Sequence, residues 1–351
     1  MVSNFKYKNK NKNKDTTLSS RRFISPSRIT YDELPKFLQL RSHAASLQDC
    51  KIECDCSKLV FVDPLGLCLL KHWFVELQER AVEVHLRGLR REIESFLRRM
   101  DLFEGLALVS FEDRSSMNTR RDMTGRMIEL RSLHETKDIG QAASQIAKTI
   151  VHGIPGIEME PDPDQMHPSL GERIEDTLEY VFSEILLNSL EHGRRRNYVH
   201  SHANIAALYY PVINKLEIAI VDNGCGLLET LQGHQLMAGE LTDSKAISIA
   251  RQPRVSCNRD AELGLDVRNQ GIGLTVSTEI ALAARGRCGI FSGLSRHSIL
   301  TDSTADVSEI PYWRGTGVYF QFDKTALASV NKGSIIKALP GYRIVNKIKF
   351  D

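Results

Sequence analysis

Glu184, Asn188 and Glu191 stand at i, i+4 and i+7 within the run Glu172–His192. At 100° per residue, that spacing puts all three within about 60° of one another on a helix. Val181, Phe182, Ile185, Leu186, Leu187 and Leu190 take up most of the remaining circumference, so the helix is expected to be largely buried. A carboxylate on its one polar stripe carries a desolvation penalty of several kcal/mol unless it is paired or bound to an ion. Mg²⁺ with its water would compensate such oxygen ligands well. The alternative is a stripe that meets solvent.

Three further segments carry chemistry of a matching kind. Val221-Asp222-Asn223-Gly224-Cys225-Gly226 follows an apolar strand pattern, which places a carboxylate at a strand's rim just where glycines let the chain turn. Buried there, Asp222 could accept a hydrogen bond from an exocyclic amine such as that of adenine; an ordinary Asp-Asn-Gly turn is the plainer reading. Asn269-Gln270-Gly271-Ile272-Gly273-Leu274 leads into a helical pattern, and glycines ahead of a helix N-terminus let amides and the helix dipole face a phosphate. No third glycine or immediately preceding strand supports a dinucleotide fold here, and the chain contains no GKS or GKT for a P-loop. Arg314-Gly315-Thr316 opens the strand pattern Gly317–Phe322, and its single hydroxyl gains meaning only in company.

In this order and spacing, EILLNSLEH, DNGCG, GIGL and GTGVYFQF resemble the N, G1, G2 and final GT boxes of the GHKL ATP-binding family. That family includes DNA gyrase B subunits, Hsp90, MutL, histidine kinases and the anti-sigma serine kinases. The resemblance covers about residues 170 to 325 and implies ATP and Mg²⁺ as ligands. By position, Glu184 would be the general base toward the γ-phosphate and Asn188 the Mg²⁺ ligand. Glu191 and His192 would lie beside the nucleotide, His192 approaching its phosphates. Asp222 would hold the adenine amino group with Thr316 alongside, Gly224 and Gly226 would shape the pocket, and Gly271, Ile272, Gly273 and Leu274 would close over the phosphates. Residues 227–270 would be the lid, whose ordering costs conformational entropy and suits it to nucleotide-dependent change.

These boxes need elements to carry them. Strand patterns at Asn204–Tyr210 and Lys215–Asp222 are joined by a turn at Pro211; a helical piece lies near Ser244–Arg251, another over Gly271–Ala284, and strands over Arg287–Ser292, Ser295–Leu300 and Gly317–Phe322. Upstream, Tyr31–Leu40 is helical, Lys51–Cys56 and Lys58–Asp63 are strand-like, and Pro64 with Gly66 predicts a turn before a helix over Leu67–Ala81. A strand at Val82–Leu86 and a helix at Leu89–Met100 complete a small α/β unit. KLVFVDPLGLCLLKHW followed by AVEVHLRG resembles a STAS domain, the fold of anti-sigma factor antagonists. Where that signature carries its phosphoacceptor serine this chain has Leu65, so the resemblance implies a docking or sensing module. Ile128–Ile150 has the spacing of a linking helix, and the proline-rich stretch Pro155–Pro168 that of a loop.

The expected architecture is therefore α+β with two domains. A basic disordered tail over 1–28 precedes the STAS-like domain at 29–112; a connector with a linking helix spans 113–168, the GHKL (Bergerat) domain 169–326 and an extension 327–351. The second domain's sheet is expected to be mixed, mainly antiparallel and covered by helices on one face. The tail carries eight Lys or Arg and one acid, a charge of +7 against −5 for the rest. It suits a solubilising segment, with an anionic partner or nucleic acid as the weaker alternative. Arg87, Arg90, Arg91, Arg98, Arg99 and Arg194–Arg196 read as solvated faces. The cysteines Cys50, Cys54, Cys56 and Cys68 lack a CxxC pair and suit reduced thiols rather than zinc. No apolar run reaches the roughly 18 residues of a membrane span, so a cytoplasmic regulatory protein is expected. The functions kept open are ATP hydrolysis with nucleotide-gated dimerisation, phosphotransfer to a serine of a STAS-type partner, and a non-catalytic ATP-binding scaffold. A sensor histidine kinase is disfavoured, because Leu133-His134-Glu135 lacks the usual phosphoacceptor helix pair.

Overall fold

The computed structural model describes residues 20–112, 127–153, 155–157, 168–194, 198–255, 271–300 and 304–340. The chain is α+β. Its first half runs β1 (Ser20–Ile24), β2 (Arg28–Ile29), α1 (Leu34–His43), β3 (Lys51–Asp55), β4 (Phe61–Val62), α2 (Pro64–Glu79), β5 (Glu83–Arg87), α3 (Arg91–Arg99) and β6 (Val109–Phe111). Strands β1-β3-β5-β6 form a parallel sheet in that order, and β2 pairs with β4 as a short parallel ribbon.

The second half runs β7 (Met127–Leu133), α4 (Ile139–Gly153), α5 (Leu170–Leu187), β8 (Ala203–Tyr210), β9 (Lys215–Asp222), α6 (Gly226–Leu231), α7 (Asp243–Ala250), α8 (Gly273–Ala283), β10 (Arg287–Ile299), β11 (Ala305–Asp323), α9 (Lys324–Leu327) and α10 (Lys332–Ala338). Its sheet has the order β10-β11-β9-β8-β7, and every pairing is antiparallel rather than mixed.

Period-two alternation sorts the central strands between two cores. Ile205, Ala207, Leu216, Ile218 and Ile220 face a core shared with α4, α5 and α8. Ala206, Leu208, Ala219 and Val221 face the other way, into a core continuous with the whole N-terminal unit. The expectation of a sheet covered on one face is thus corrected: α2 packs across β8 and β9 on the second face. The small side chains of Ala206 and Ala219 let it approach, and the Cys68 thiol lies 3.7 Å from the Ala219 carbonyl. Leu65, Leu67, Cys68 and Leu69 have no exposed surface, as a helix between two sheets requires. Tyr31 adds a second anchor, stacking on Tyr319 with ring centroids 4.8 Å apart.

Several local expectations are corrected for identifiable reasons. Ser20–Ile24 is not tail but the edge strand β1, paired with β3 and carrying Phe23 against the core; Lys6–Lys14 lies outside the described residues. Pro64 and Gly66 open α2 rather than turning before it. The Asp63 carboxylate caps that helix, accepting the Gly66 amide at 2.7 Å with one oxygen and the Tyr31 amide at 2.8 Å with the other, while proline suits the first helical turn. The expected helix over Ile128–Ile150 starts instead as strand β7. A register shift between Ile128 and Arg131 sends Ile128 into one core and Leu130 into the other. Residues 127–153 therefore belong to the larger sheet and its helix layer, not to a connector.

The six described cysteines are buried free thiols. No helix among the described residues is long and apolar enough to cross a membrane.

Asp63 joins the ribbon, α2 and Tyr31 through one carboxylate. Asp63→Ala removes a cap and strands a buried amide, and is expected to lower stability by about 2–4 kcal/mol in urea denaturation.

Candidate functional site

Helix α5 begins at a capping box. The Ser169 hydroxyl accepts the Glu172 amide at 3.1 Å, and the Glu172 carboxylate accepts the Ser169 amide at 2.7 Å. The helix then runs buried beneath the sheet as far as Leu187, and Asn188–His192 continues it as a π-helical turn. A π turn advances only about 80° per residue. Relative to a regular α-helix, it swings His192 roughly 70° onto the Glu184–Asn188 stripe and carries Glu191 roughly 50° off it.

That rotation decides which residues meet. Glu184, Asn188 and His192 line one cleft, together with Ser189 and Gly193. Glu191 is exposed and does not line it, which corrects the expectation drawn from α-helical spacing. The opposite walls hold Asp222, Gly226, Thr316, Gly271, Gly273 and Leu274. Ile185, Leu227, Leu231 and Val318 make apolar surface between them. The cleft encloses about 890 Å³, counting space continuous with solvent.

Two glycines are explained by close approach. A Cβ on Gly273 would sit 2.0 Å from Glu184 Oε2, so only a glycine lets α8 begin against that carboxylate. A Cβ on Gly224 would lie 2.5 Å from the Gly193 backbone, so Gly224 backs the wall instead of lining the cleft. The Asp222–Gly226 turn is fastened to the end of the π turn there, where the Cys225 amide donates to the Gly193 carbonyl at 3.0 Å. Ile272, the N-cap of α8, is half-buried and outside the lining. Asn269 and Gln270 lie outside the described residues.

Asp222 ends β9 and is wholly buried. Its Oδ1 accepts the Gly224 amide at 2.9 Å and the Thr316 amide at 3.1 Å, and the nearby Ser189 also favours its charged form. Burial pushes the carboxyl up to about 7 and outweighs those donors. Burial likewise pushes Glu184 up to about 7. Two carboxyl groups with raised proton affinity thus share one cleft, a common mark of functional sites.

The segment expected as a lid is partly packed. Within 227–255, Leu231, Met237, Ala246 and Ile249 form a small core between α6 and α7. The Asp243 carboxylate holds α7 to β10 by accepting the Leu294 amide at 2.9 Å, and the Arg254 amide donates to the Gly271 carbonyl at 2.9 Å. Residues 256–270 lie outside the described residues. Ala250 and Val255 extend the cleft wall.

Ser189, Trp313 and His72 were not singled out from the sequence. Ser189 was within reach, being the neighbour of Asn188 in the same motif. Trp313, whose indole donates to the Asp222 carbonyl at 3.1 Å, precedes Arg314-Gly315-Thr316 directly. Nothing local marked His72, in the other half of the chain.

Among the described residues no group of three or more His, Cys, Asp or Glu could hold a metal by itself. The side-chain oxygen of Asn188, which lines the cleft with Glu184, does suit a hard cation that keeps water and takes further ligands from a bound phosphate. A scan against models of known protein families finds no match to this chain, and a search of curated proteins finds none that matches.

Asp222 and Glu184 take up protons more readily folded than unfolded. Their contribution to stability is therefore fully present below the ordinary carboxyl range near pH 4 and is lost as pH rises through about 7. Asp222→Asn keeps an acceptor and removes the titration, so its urea midpoint should fall less than that of the unaltered chain between pH 5 and pH 8.

Proposed function

We propose that this chain is a regulatory Mg²⁺–ATP-binding protein of the GHKL type whose cleft hydrolyses ATP or passes its γ-phosphate to a serine of a protein partner. The observation that carries the reading is the convergence of four sequence-distant boxes on one cleft: Glu184 and Asn188, Asp222, Gly271 and Gly273, and Thr316 all line it. The chain's architecture is compatible with an N-terminal STAS-like unit followed by a Bergerat-type sandwich.

The residues divide the work by chemistry. The buried Asp222 carboxylate, with Oδ1 occupied by the Gly224 and Thr316 amides, retains acceptor capacity for an adenine amino group. Apolar Ile185, Leu274 and Val318 suit the faces of a purine ring. The first amides of α8 have no intrahelical acceptors and favour phosphate oxygens. Asn188 would hold Mg²⁺, which supplies neutralising charge to the phosphates when bound. Glu184 would orient the attacking hydroxyl, of water or serine, and accept its proton as a general base. Its proton affinity near neutrality suits that role, since the group is poised close to working pH.

A second reading keeps the nucleotide and omits turnover. The packing of 227–255 against β10 favours it, because a lid held to the scaffold suits a structural ligand. In either case the N-terminal unit, with Leu65 wholly buried at the place of a STAS phosphoacceptor, acts by docking, and a cytoplasmic setting is the one this chemistry fits.

Incubation with γ-labelled ATP and Mg²⁺ separates the readings. The expected result is label in free phosphate or in a partner serine, rising with pH through about 7 as Glu184 ionises. Glu184→Ala should lower turnover at least about a hundredfold while leaving ATP affinity within a few-fold. Absence of any label transfer, with ATP still bound, supports the scaffold; absence of ATP binding overturns the reading.

A further inference from the structure

The wall that carries Asp222 is held from behind by the N-terminal unit. His72, on α2, is buried and its Nε2 lies 2.8 Å from the Val221 carbonyl, one residue before Asp222. A ring nitrogen facing a carbonyl oxygen must be the protonated one. Nδ1 is then bare, and it is buried with no hydrogen-bond partner. An apolar side chain would pack between the sheets without that orphaned nitrogen, so packing alone does not account for a histidine; a donor to Val221 does.

The following carbonyl is held in a related way. Trp313 donates to Asp222 O at 3.1 Å, and its ring touches His72 edge-on at 5.7 Å between centroids. From α1, the Arg41 guanidinium lies 4.9 Å from the Trp313 ring centre and is itself fixed by Glu76 at 2.8 Å. The β9–β11 ladder reaches its end at Val221 and Gly317. On the β8 side Asp222 still pairs with Ala203, so on the β11 side alone the aim of the Asp222 carboxylate depends on contacts from outside the ladder.

We propose that His72 is a positioning residue for base recognition: through the Val221 carbonyl it sets Asp222, so that the N-terminal unit forms part of the nucleotide site. The inference rests on the reading of the cleft as an ATP site. It assigns the N-terminal unit a duty in affinity and base choice that a separate docking module would not have.

The test compares the full chain with His72→Phe and His72→Gln, measuring affinity for Mg²⁺–ATP, Mg²⁺–GTP and inorganic tripolyphosphate. The His72 ring also lies 4.7 Å from that of His202 between centroids; phenylalanine keeps a ring against His202 and Trp313 but cannot donate, and glutamine restores a donor at a similar reach. His72→Phe should weaken ATP binding about tenfold, as expected for one hydrogen bond, and bring the ATP-to-GTP ratio toward one. Tripolyphosphate affinity should not change, and His72→Gln should recover most of the ratio. An unaltered ratio in His72→Phe, or a parallel loss of tripolyphosphate binding, overturns the proposal while leaving the ATP site standing. Failure of the unaltered chain to prefer ATP over GTP overturns both. If His72→Phe loses cooperative thermal unfolding, Arg41→Gln reports on the same wall through Trp313. A reduced ATP-to-GTP ratio in that variant supports the proposal, and an unchanged one overturns it.

Discussion

The central strands β8 and β9 are buried on both faces, by α5 and its neighbours on one side and by α2 on the other. Backbone groups inside such a sandwich are satisfied by the ladder, and polar side chains inside it are costly unless hydrogen-bonded, as Asn204 is to Ser132. Polar chemistry is therefore pushed to the rim, where β9 ends and α5 changes its winding. Asp222 stands at that end and Asn188 at that change. The Gly193 carbonyl joins the two by accepting the Cys225 amide at 3.0 Å, which ties the acidic strand end to the polar helix stripe.

The same constraint explains the electrostatics. Close packing that lets α8 start against Glu184 also strips water from its carboxyl, and the surrounding core does the same to Asp222. Each raised proton affinity follows chiefly from burial. An unliganded cleft of this kind is electrostatically strained at neutral and higher pH. A hydrogen-bond donor brought to Asp222, and positive charge brought near Glu184, would relieve that strain.

Much of this was legible in the sequence, and the exceptions have common causes. Local spacing located β8, β9, α7, α8 and the turn at Gly224, because each depends on alternation or on glycines at fixed places. Spacing misplaced Glu191 and undervalued His192, because a π turn leaves no mark in apolar periodicity. Ile128, Leu130 and Leu133 fit a helical pattern and a bulged strand equally well, and pairing with β8 decided for the strand. The docking of α2 on the second face could not be read locally, because nothing in the run Leu67–Ala81 says which surface it would cover. His72 was invisible for that reason: its role comes from a contact 149 residues away in sequence.

The most direct measurement of the central claim is amide hydrogen exchange on the full chain with and without a non-hydrolysable ATP analogue and Mg²⁺. An occupied cleft predicts slowed exchange over 222–227, where the strand ends, and over 271–275, where α8 begins, with the outer strands β1 and β6 unchanged. Exchange at both segments that is indifferent to saturating analogue, or protection confined to a surface remote from Glu184, would contradict the account.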